Sequence, residues 1–332
     1  MFGNHRLLKV AWLCFVLAGI LLAAPAVEAQ SSREKSAASY FARGAEWQAR
    51  GEFDRAIADF GIAIDFDPHF ARAYYMRGRA HLSNGDLKAA LGNFNRALEL
   101  NPRHAAAYND RGYALSEIGE DAAALADFNR ALELDPRFAH AYNNRAFIRI
   151  RQCDYKGAIA DYDRAIECDK KYAAAYNNRG YARVAIGDHD GALSDFNRAI
   201  KLNPLYASAY NNRGNLRFRQ GDFDGAIADN TRVIELDPRD AESYNNRANA
   251  RVGKSDYEGA LADYNQALTL NPRYAEVYAN RGMLRLWLNK TSEAEADFEQ
   301  CVALKPEMKS SLEQRINRLQ AQLKAQTRTP GH

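Results

Sequence analysis

Tyr176-Asn177-Asn178-Arg179-Gly180 recurs unaltered as Tyr210-Asn211-Asn212-Arg213-Gly214, and near-copies open at Tyr142 and Tyr244. The tyrosine stands at 40, 74, 108, 142, 176, 210, 244 and 278, a step of 34 residues with no insertion. Such a fixed period is the mark of a repeat architecture and is weighed before any other signal. With Ala37 as the first residue, eight units run 37–70, 71–104, 105–138, 139–172, 173–206, 207–240, 241–274 and 275–308.

The columns of the repeat carry a physical pattern. Four residues after each tyrosine stands Gly or Ala (44, 78, 112, 146, 180, 214, 248, 282), small enough to let a second helix approach. Alanine is unbroken at 56, 90, 124, 158, 192, 226, 260 and 294. An aromatic follows four residues later in every unit except at Asn230, and a small residue three further on except at Val233 and Cys301. Spacing of four then three is one face of an α-helix. Turns such as Gly51-Glu52, Gly187-Asp188 and Gly221-Asp222 split each unit into two helices, and Asp-Pro or Asn-Pro at 67–68, 101–102, 135–136, 203–204, 237–238 and 271–272 ends the second.

This combination of columns resembles the tetratricopeptide repeat family over 272 of the 332 residues. Tyr and Arg stand at positions where the family often has Trp and Leu. The resemblance implies an all-α solenoid: stacked antiparallel helix pairs in a right-handed superhelix with a concave inner face, eight units making about one superhelical turn.

Composition agrees with a folded chain: 47% hydrophobic, 26% charged and 9 prolines. Length alone suggests about two domains. A net charge of +3 predicts no strong attraction to nucleic acid. Residues 1–29 have the plan of a secretory signal peptide, with basic Arg6 and Lys9, an apolar run from Val10 to Ala24, and Val27 and Ala29 before a cut at Ala29|Gln30. The run is shorter than the roughly 20 residues of a membrane span. The expectation is an exported protein, periplasmic or secreted; a retained anchor is the alternative. Residues 30–36 are read as a short linker, and 309–332 as an amphipathic capping helix and tail on Leu312, Ile316, Leu319 and Leu323, with a basic outer face. Membrane-surface or polyanion binding by that helix is the competing reading. Cys153 and Cys168, if they flank one helix, stand about 22 Å apart, beyond disulfide reach, and no internal disulfide is expected.

Arginine is complete at 43, 77, 111, 145, 179, 213, 247 and 281, and sixteen residues later stands Asp in seven units, with Asn93 the exception. One falls on the first helix of a pair and the other on the second, so an Arg–Asp bridge within each unit is expected, the planar guanidinium meeting a carboxylate with two bonds.

The asparagines are read as the binding feature. The second of each doublet forms a row, Asn144, Asn178, Asn212, Asn246 and Asn280, preceded by Asp110. By the resemblance these positions line the inner face. In glycosyltransferases with long arrays of this repeat such a ladder holds a peptide backbone. A primary amide bonds a peptide C=O and N–H whatever the side chain. Helices about 8–10 Å apart against about 3.3 Å per extended residue give about three ligand residues per unit. Tyr113, Phe147, Tyr181 and Phe218 supply side-chain pockets in this reading, with Ile150 and Val184 nearby. The alternative is that the amides bridge neighbouring helices. The first asparagines of the doublets, 143, 177, 211 and 245, are not assigned to the ligand.

Lysine is absent from the column Phe41, Tyr75, Asn109, Asn143, Asn177, Asn211, Asn245, Ala279, which sets aside the carboxylate-clamp role of repeat co-chaperones. Seven scattered histidines give no metal spacing. The Gly-Asp-x-Asp-Gly segments at 187–191 and 221–225 lack the pattern of a calcium loop. No phosphate loop or nucleophile elbow occurs, and 36 residues before the array and 24 after it leave little room for a catalytic domain. The expected function is a scaffold without catalysis, cofactor or metal, holding an extended protein or peptide partner. An assembly factor working through its outer or end surfaces is the alternative; nucleic acid and membrane contact beyond the leader are not expected.

Overall fold

The computed structural model describes residues 32–328, and the leader expected at 1–29 lies outside them. The chain divides into two compact units, at Asp154 and Tyr155. In the first, α1 covers 32–49, followed by α2 (Phe53–Phe66), α3 (Ala71–Ser83), α4 (Leu87–Leu100), α5 (Ala105–Glu117), α6 (Asp121–Leu134) and α7 (Ala139–Arg151). The second holds α8 (Tyr155–Cys168), α9 (Ala173–Ala185), α10 (His189–Leu202), α11 (Ala207–Arg219), α12 (Phe223–Leu236), α13 (Ala241–Gly253), α14 (Tyr257–Leu270), α15 (Ala275–Trp287) and α16 (Thr291–Leu304). A 3₁₀ turn, Pro306–Met308, then leads into α17 (Lys309–Arg328). No strand occurs among the described residues. Within each unit consecutive helices pack as neighbours, the arrangement of an all-α tetratricopeptide-type solenoid.

Local chemistry sets the boundaries. The first helices begin at Ala71, Ala105, Ala139, Ala173, Ala207, Ala241 and Ala275, the starts given by the 34-residue phase. The turn inside each pair needs a left-handed residue. Gly51, Gly85, Gly119, Gly187 and Gly221 supply it at φ from 78° to 85°, but Cys153, Ser255 and Asn289 occupy the same position at φ 60°, 62° and 60°, where a side chain is strained. Asp86, Asp188, Asp222 and Asp256 cap the helices that follow, each carboxylate accepting the N–H three residues on at 2.9–3.0 Å. After the second helices, Asp or Asn closes a turn on the backbone two residues later, as Asp67 does for His69 N–H at 3.0 Å.

The core is the alanine column with the aromatics. All eight alanines from Ala56 to Ala294 are fully buried, as are Phe60, Phe94, Phe128, Tyr162, Phe196 and Tyr264. Each ring lies on the small residue of the preceding helix, so a Cβ at Gly78 or Gly180 would stand 2.7 or 2.6 Å from Phe94 or Phe196. The exception is buried Asn230 against Gly214. Its Nδ2 donates to the Ala226 carbonyl at 2.9 Å, and its buried Oδ1 has no partner among the described residues.

The arginine column does three jobs. Arg43, Arg111, Arg179, Arg213, Arg247 and Arg281 each donate twice or more to Asp59, Asp127, Asp195, Asp229, Asp263 and Asp297. Arg77 has one hydrogen bond among the described residues, 2.7 Å to Asn93. The same guanidiniums lie over the tyrosine three residues back, 5.5 Å for Arg179 over Tyr176 and for Arg213 over Tyr210. Arg111, Arg179, Arg213, Arg247 and Arg281 also reach the second helix of the preceding repeat, as Arg179 reaches Asp163 at 2.6 Å and Arg281 reaches Asn265 at 2.6 Å. A second column, Arg183, Arg217, Arg251 and Arg285, adds a further bond to Asp195, Asp229, Asp263 and Asp297 at 2.8–3.0 Å.

Two terminal segments refine the sequence reading. Residues 32–36, expected as linker, are helical, with Ser36 Oγ donating to the Ser32 carbonyl at 3.0 Å; the helix extends before the repeat because Ser, Glu and Lys do not stop it. At the other end Leu312 and Leu319 of α17 are buried, and Ile316 and Leu323 pack beside them against Cys301, Leu286 and Ala294. The apolar face of α17 is therefore used within the protein. No described helix is long and apolar enough to cross a membrane. Among the described residues Cys153, Cys168 and Cys301 form no disulfide.

Candidate functional site

The asparagine doublets occupy the fifth and sixth residues of the first helices, one turn before Tyr113, Phe147 and Tyr181 and two turns before the column of Phe218. The two members differ in burial. Asn109, Asn177 and Asn245 of the first position are buried, whereas Asn144, Asn178, Asn212, Asn246 and Asn280 are half-buried. In the second unit the amides bond to one another. Asn280 Nδ2 donates to Asn245 Oδ1 (3.2 Å), Asn245 Nδ2 to Asn246 Oδ1 (3.3 Å), and Asn246 Nδ2 to Asn211 Oδ1 (3.5 Å). Asn212 Nδ2 likewise donates to Asn177 Oδ1 (2.9 Å), and Asn177 Nδ2 to Asn178 Oδ1 (3.1 Å). In the first unit Asn144 Nδ2 reaches Asn109 Oδ1 at 3.0 Å, and Asn143 Nδ2 reaches Asn144 Oδ1 at 3.3 Å.

Bridging between repeats and an open binding face were alternatives in the sequence; the geometry holds the bridge and leaves part of each amide over. An amide has two N–H donors and an oxygen with two lone pairs. Asn246 donates one N–H and accepts one bond, so a second N–H and a second lone pair remain beyond those contacts. Asp110, which stands in the row before Asn144, is engaged differently. It accepts from Tyr75 Oη and from Asn109 Nδ2, both at 2.9 Å, with Arg79 Nε at 3.6 Å. Burial and that carboxylate push the Tyr75 phenol well above its ordinary range, so it stays a neutral donor.

Tyr113, Phe147, Tyr181 and Phe218 are among the most exposed large apolar side chains, from 39% to 53% accessible, although the core of each repeat is closed around alanine and phenylalanine. They meet amides in three recesses. Tyr113 and Phe147 wall one of about 240 Å³ with Glu117, Asn143 and Asn144 in the first unit. Tyr181 and Asn212 share one of about 110 Å³ in the second, and Phe218 and Asn280 share the largest, about 450 Å³. Val184 lines the Tyr181 recess. Asn178 and Asn246 line none of these three. Burial first, then Glu117, push the Tyr113 phenol upward, so it too remains neutral.

Two features escaped the sequence reading. The second arginine column was legible as a further 34-residue spacing. The largest recess needed the docking of α17, which brings Arg315 and Leu319 to Trp287. Among the described residues no group of His, Cys, Asp and Glu is arranged to hold a metal.

Sequence profiles described as tetratricopeptide repeat match residues 41–98, 75–137 and 177–241, and 275–308; a profile described as TPR repeat matches 152–187 and 248–286. No curated protein matches the sequence. Among solved structures, the APC/C hetero-tetramer Cut9–Hcn1 is similar at TM-score 0.61 and 19% identity, over 80% of this chain and 52% of that one. This chain thus spans about half the length of that protein. A tetratricopeptide repeat protein from Parabacteroides merdae is similar at TM-score 0.57 and 20% identity, over 81% of this chain and 99% of that one. Pseudomonas aeruginosa pilF is similar at TM-score 0.56 and 17% identity, over 62% and 94%. At these identities the likeness is one of fold.

Proposed function

We propose, from the premise that this chain belongs to the tetratricopeptide repeat family and is built as a protein–protein interaction scaffold, that it holds an extended segment of a partner protein against its row of second asparagines. The observation that carries the reading is the half-spent amide. Asn212 and Asn246 are fixed by bonds to the preceding repeat, at 2.9 and 3.5 Å, yet keep hydrogen-bonding capacity on a half-buried face. A pre-ordered amide loses little conformational entropy when it meets a peptide group. Tyr113, Phe147, Tyr181 and Phe218 beside the row offer apolar contact for alternate side chains of the ligand. Catalysis has no part in this role.

The basic, apolar and small-residue plan of residues 1–29 supports reading them as a leader, and with it an exported protein, periplasmic or extracellular, that meets its partner there. The test is selection of a random dodecapeptide library on the full chain and on the variant Asn178→Ala/Asn212→Ala/Asn246→Ala, with helicity and hydrogen exchange measured on both. The reading predicts peptides enriched on the parent and lost on the variant while both remain folded. Equal enrichment on the two would assign binding to another surface and end the proposal.

A further inference from the structure

Two recesses of the second unit share a chemistry that the repeat itself does not require. The first helices α9, α11, α13 and α15 carry nine arginines. Eight of them, from Arg179 to Arg285, reach an aspartate. The ninth, Arg219, has no carboxylate partner among the described residues. It is the charged group lining the recess of Tyr181 and Asn212. The recess of about 450 Å³ beside it in sequence is apolar on most sides, through Phe218, Val252, Tyr257, Leu284, Trp287 and Leu319, and its charged group is Arg315 of α17. Arg315 donates to the neutral oxygen of Asn280 at 3.3 Å, and among the described residues it meets no carboxylate.

The sign of this charge is not dictated by the repeat. Glu117, three periods before Arg219, is the charged lining of the Tyr113–Phe147 recess. Acids near the second unit's amide row do not cancel its arginines: Glu276 is held by Lys305 at 2.7 Å, and Glu242 is exposed and lines neither recess.

We propose that the second unit selects an acidic-aromatic segment, with a ring-bearing or branched side chain seated in the 450 Å³ recess and Asp or Glu side chains near it in sequence meeting Arg315 and Arg219. This rests on the reading that the amide row holds an extended partner, and it adds the partner's chemistry. The recess falls within the size range of specific ligand sites, mostly apolar with few polar groups. A guanidinium without an internal carboxylate is ready for a two-bond contact with an incoming one.

The same random dodecapeptide library, selected on the full chain, tests it. The expected result is enrichment of Asp or Glu within three residues of an aromatic or branched residue. Arg219→Gln/Arg315→Gln should abolish the acidic bias and keep the apolar one. In the best peptide, made with blocked termini, each Glu→Gln change should weaken binding by roughly tenfold, the lower end for a charge-assisted bond. Trp287 fluorescence reads the binding from the recess wall. Peptides without acidic bias, or a bias unchanged in the double arginine variant, would overturn the inference. If such peptides were still lost on the triple asparagine variant, the amide-row reading would survive alone. Failure to select any peptide would overturn both.

Discussion

Replacing Asn93 with aspartate restores a carboxylate to the unit that lacks one. The side chain is buried, at 8% accessibility, and Arg77 Nε donates to its oxygen at 2.7 Å as a single bond. In the preceding unit Arg43 donates twice to Asp59, at 2.6 and 2.7 Å. The difference shows in the charge balance. Burial pulls the Arg77 guanidinium below its ordinary range, whereas hydrogen bonding to Asp127 lifts Arg111 above it. Asn93→Asp adds one bond and puts a full negative charge on the acceptor of both, a gain of about 1.5–3 kcal/mol for a bond between charged groups. Against this stand desolvation of the new carboxylate and loss of the Asn93 Nδ2 bond to the Ala89 carbonyl, at 2.8 Å. The net expectation is about 1 kcal/mol in favour of aspartate. In a solenoid whose units open separately, that gain is local, so native-state hydrogen exchange of α3 and α4 is the assay. Protection should rise about fivefold at neutral pH. Asp59, whose carboxyl Arg43 holds below its ordinary range, sets the expected direction for the new carboxylate: the gain should be complete above the ordinary aspartate value, about 4, and be lost as pH falls further. Unchanged or reduced protection at neutral pH would refute the reasoning that the Arg–Asp bridge, rather than any polar pair, is what the repeat favours.

Asn230→Phe should rebuild the ring column over Gly214 and remove the unpartnered Oδ1, raising hydrogen-exchange protection of 207–240, the segment whose protection should be below its neighbours' in the parent. Cys153→Gly should stabilise the α7–α8 turn by about 1 kcal/mol, read as a higher midpoint in denaturant, because its φ of 60° costs a side chain strain that glycine avoids. Arg43's hydrogen bonds hold the Asp59 carboxyl below its ordinary range although burial pushes it upward. The bridge therefore contributes in full above about pH 4 and is lost as pH falls further. Protection of α2 should drop across that acid range, and Asp59→Asn should remove the dependence.

Most of the fold was legible because a 34-residue period repeats every constraint eight times, so columns separate core from surface without tertiary information. The Arg–Asp bridge was legible for the same reason: sixteen residues span one turn of chain from the first helix to the second. Residues in contact 35 apart, such as Asn212 and Asn177, belong to different repeats, and their bond depends on how neighbouring first helices pack. The candidate aromatics were legible as side chains, since Phe147 and Tyr181 interrupt a polar surface. The Arg315 recess was not, because it is made by a helix outside the period.

Side-chain amide NMR of Asn178, Asn212 and Asn246 during titration with a selected dodecapeptide tests the binding face most directly. Shifted, exchange-protected Nδ2 resonances at all three, with the arginines of the Arg–Asp bridges unmoved, are the predicted result. Saturable binding that leaves those three amides unchanged would contradict it.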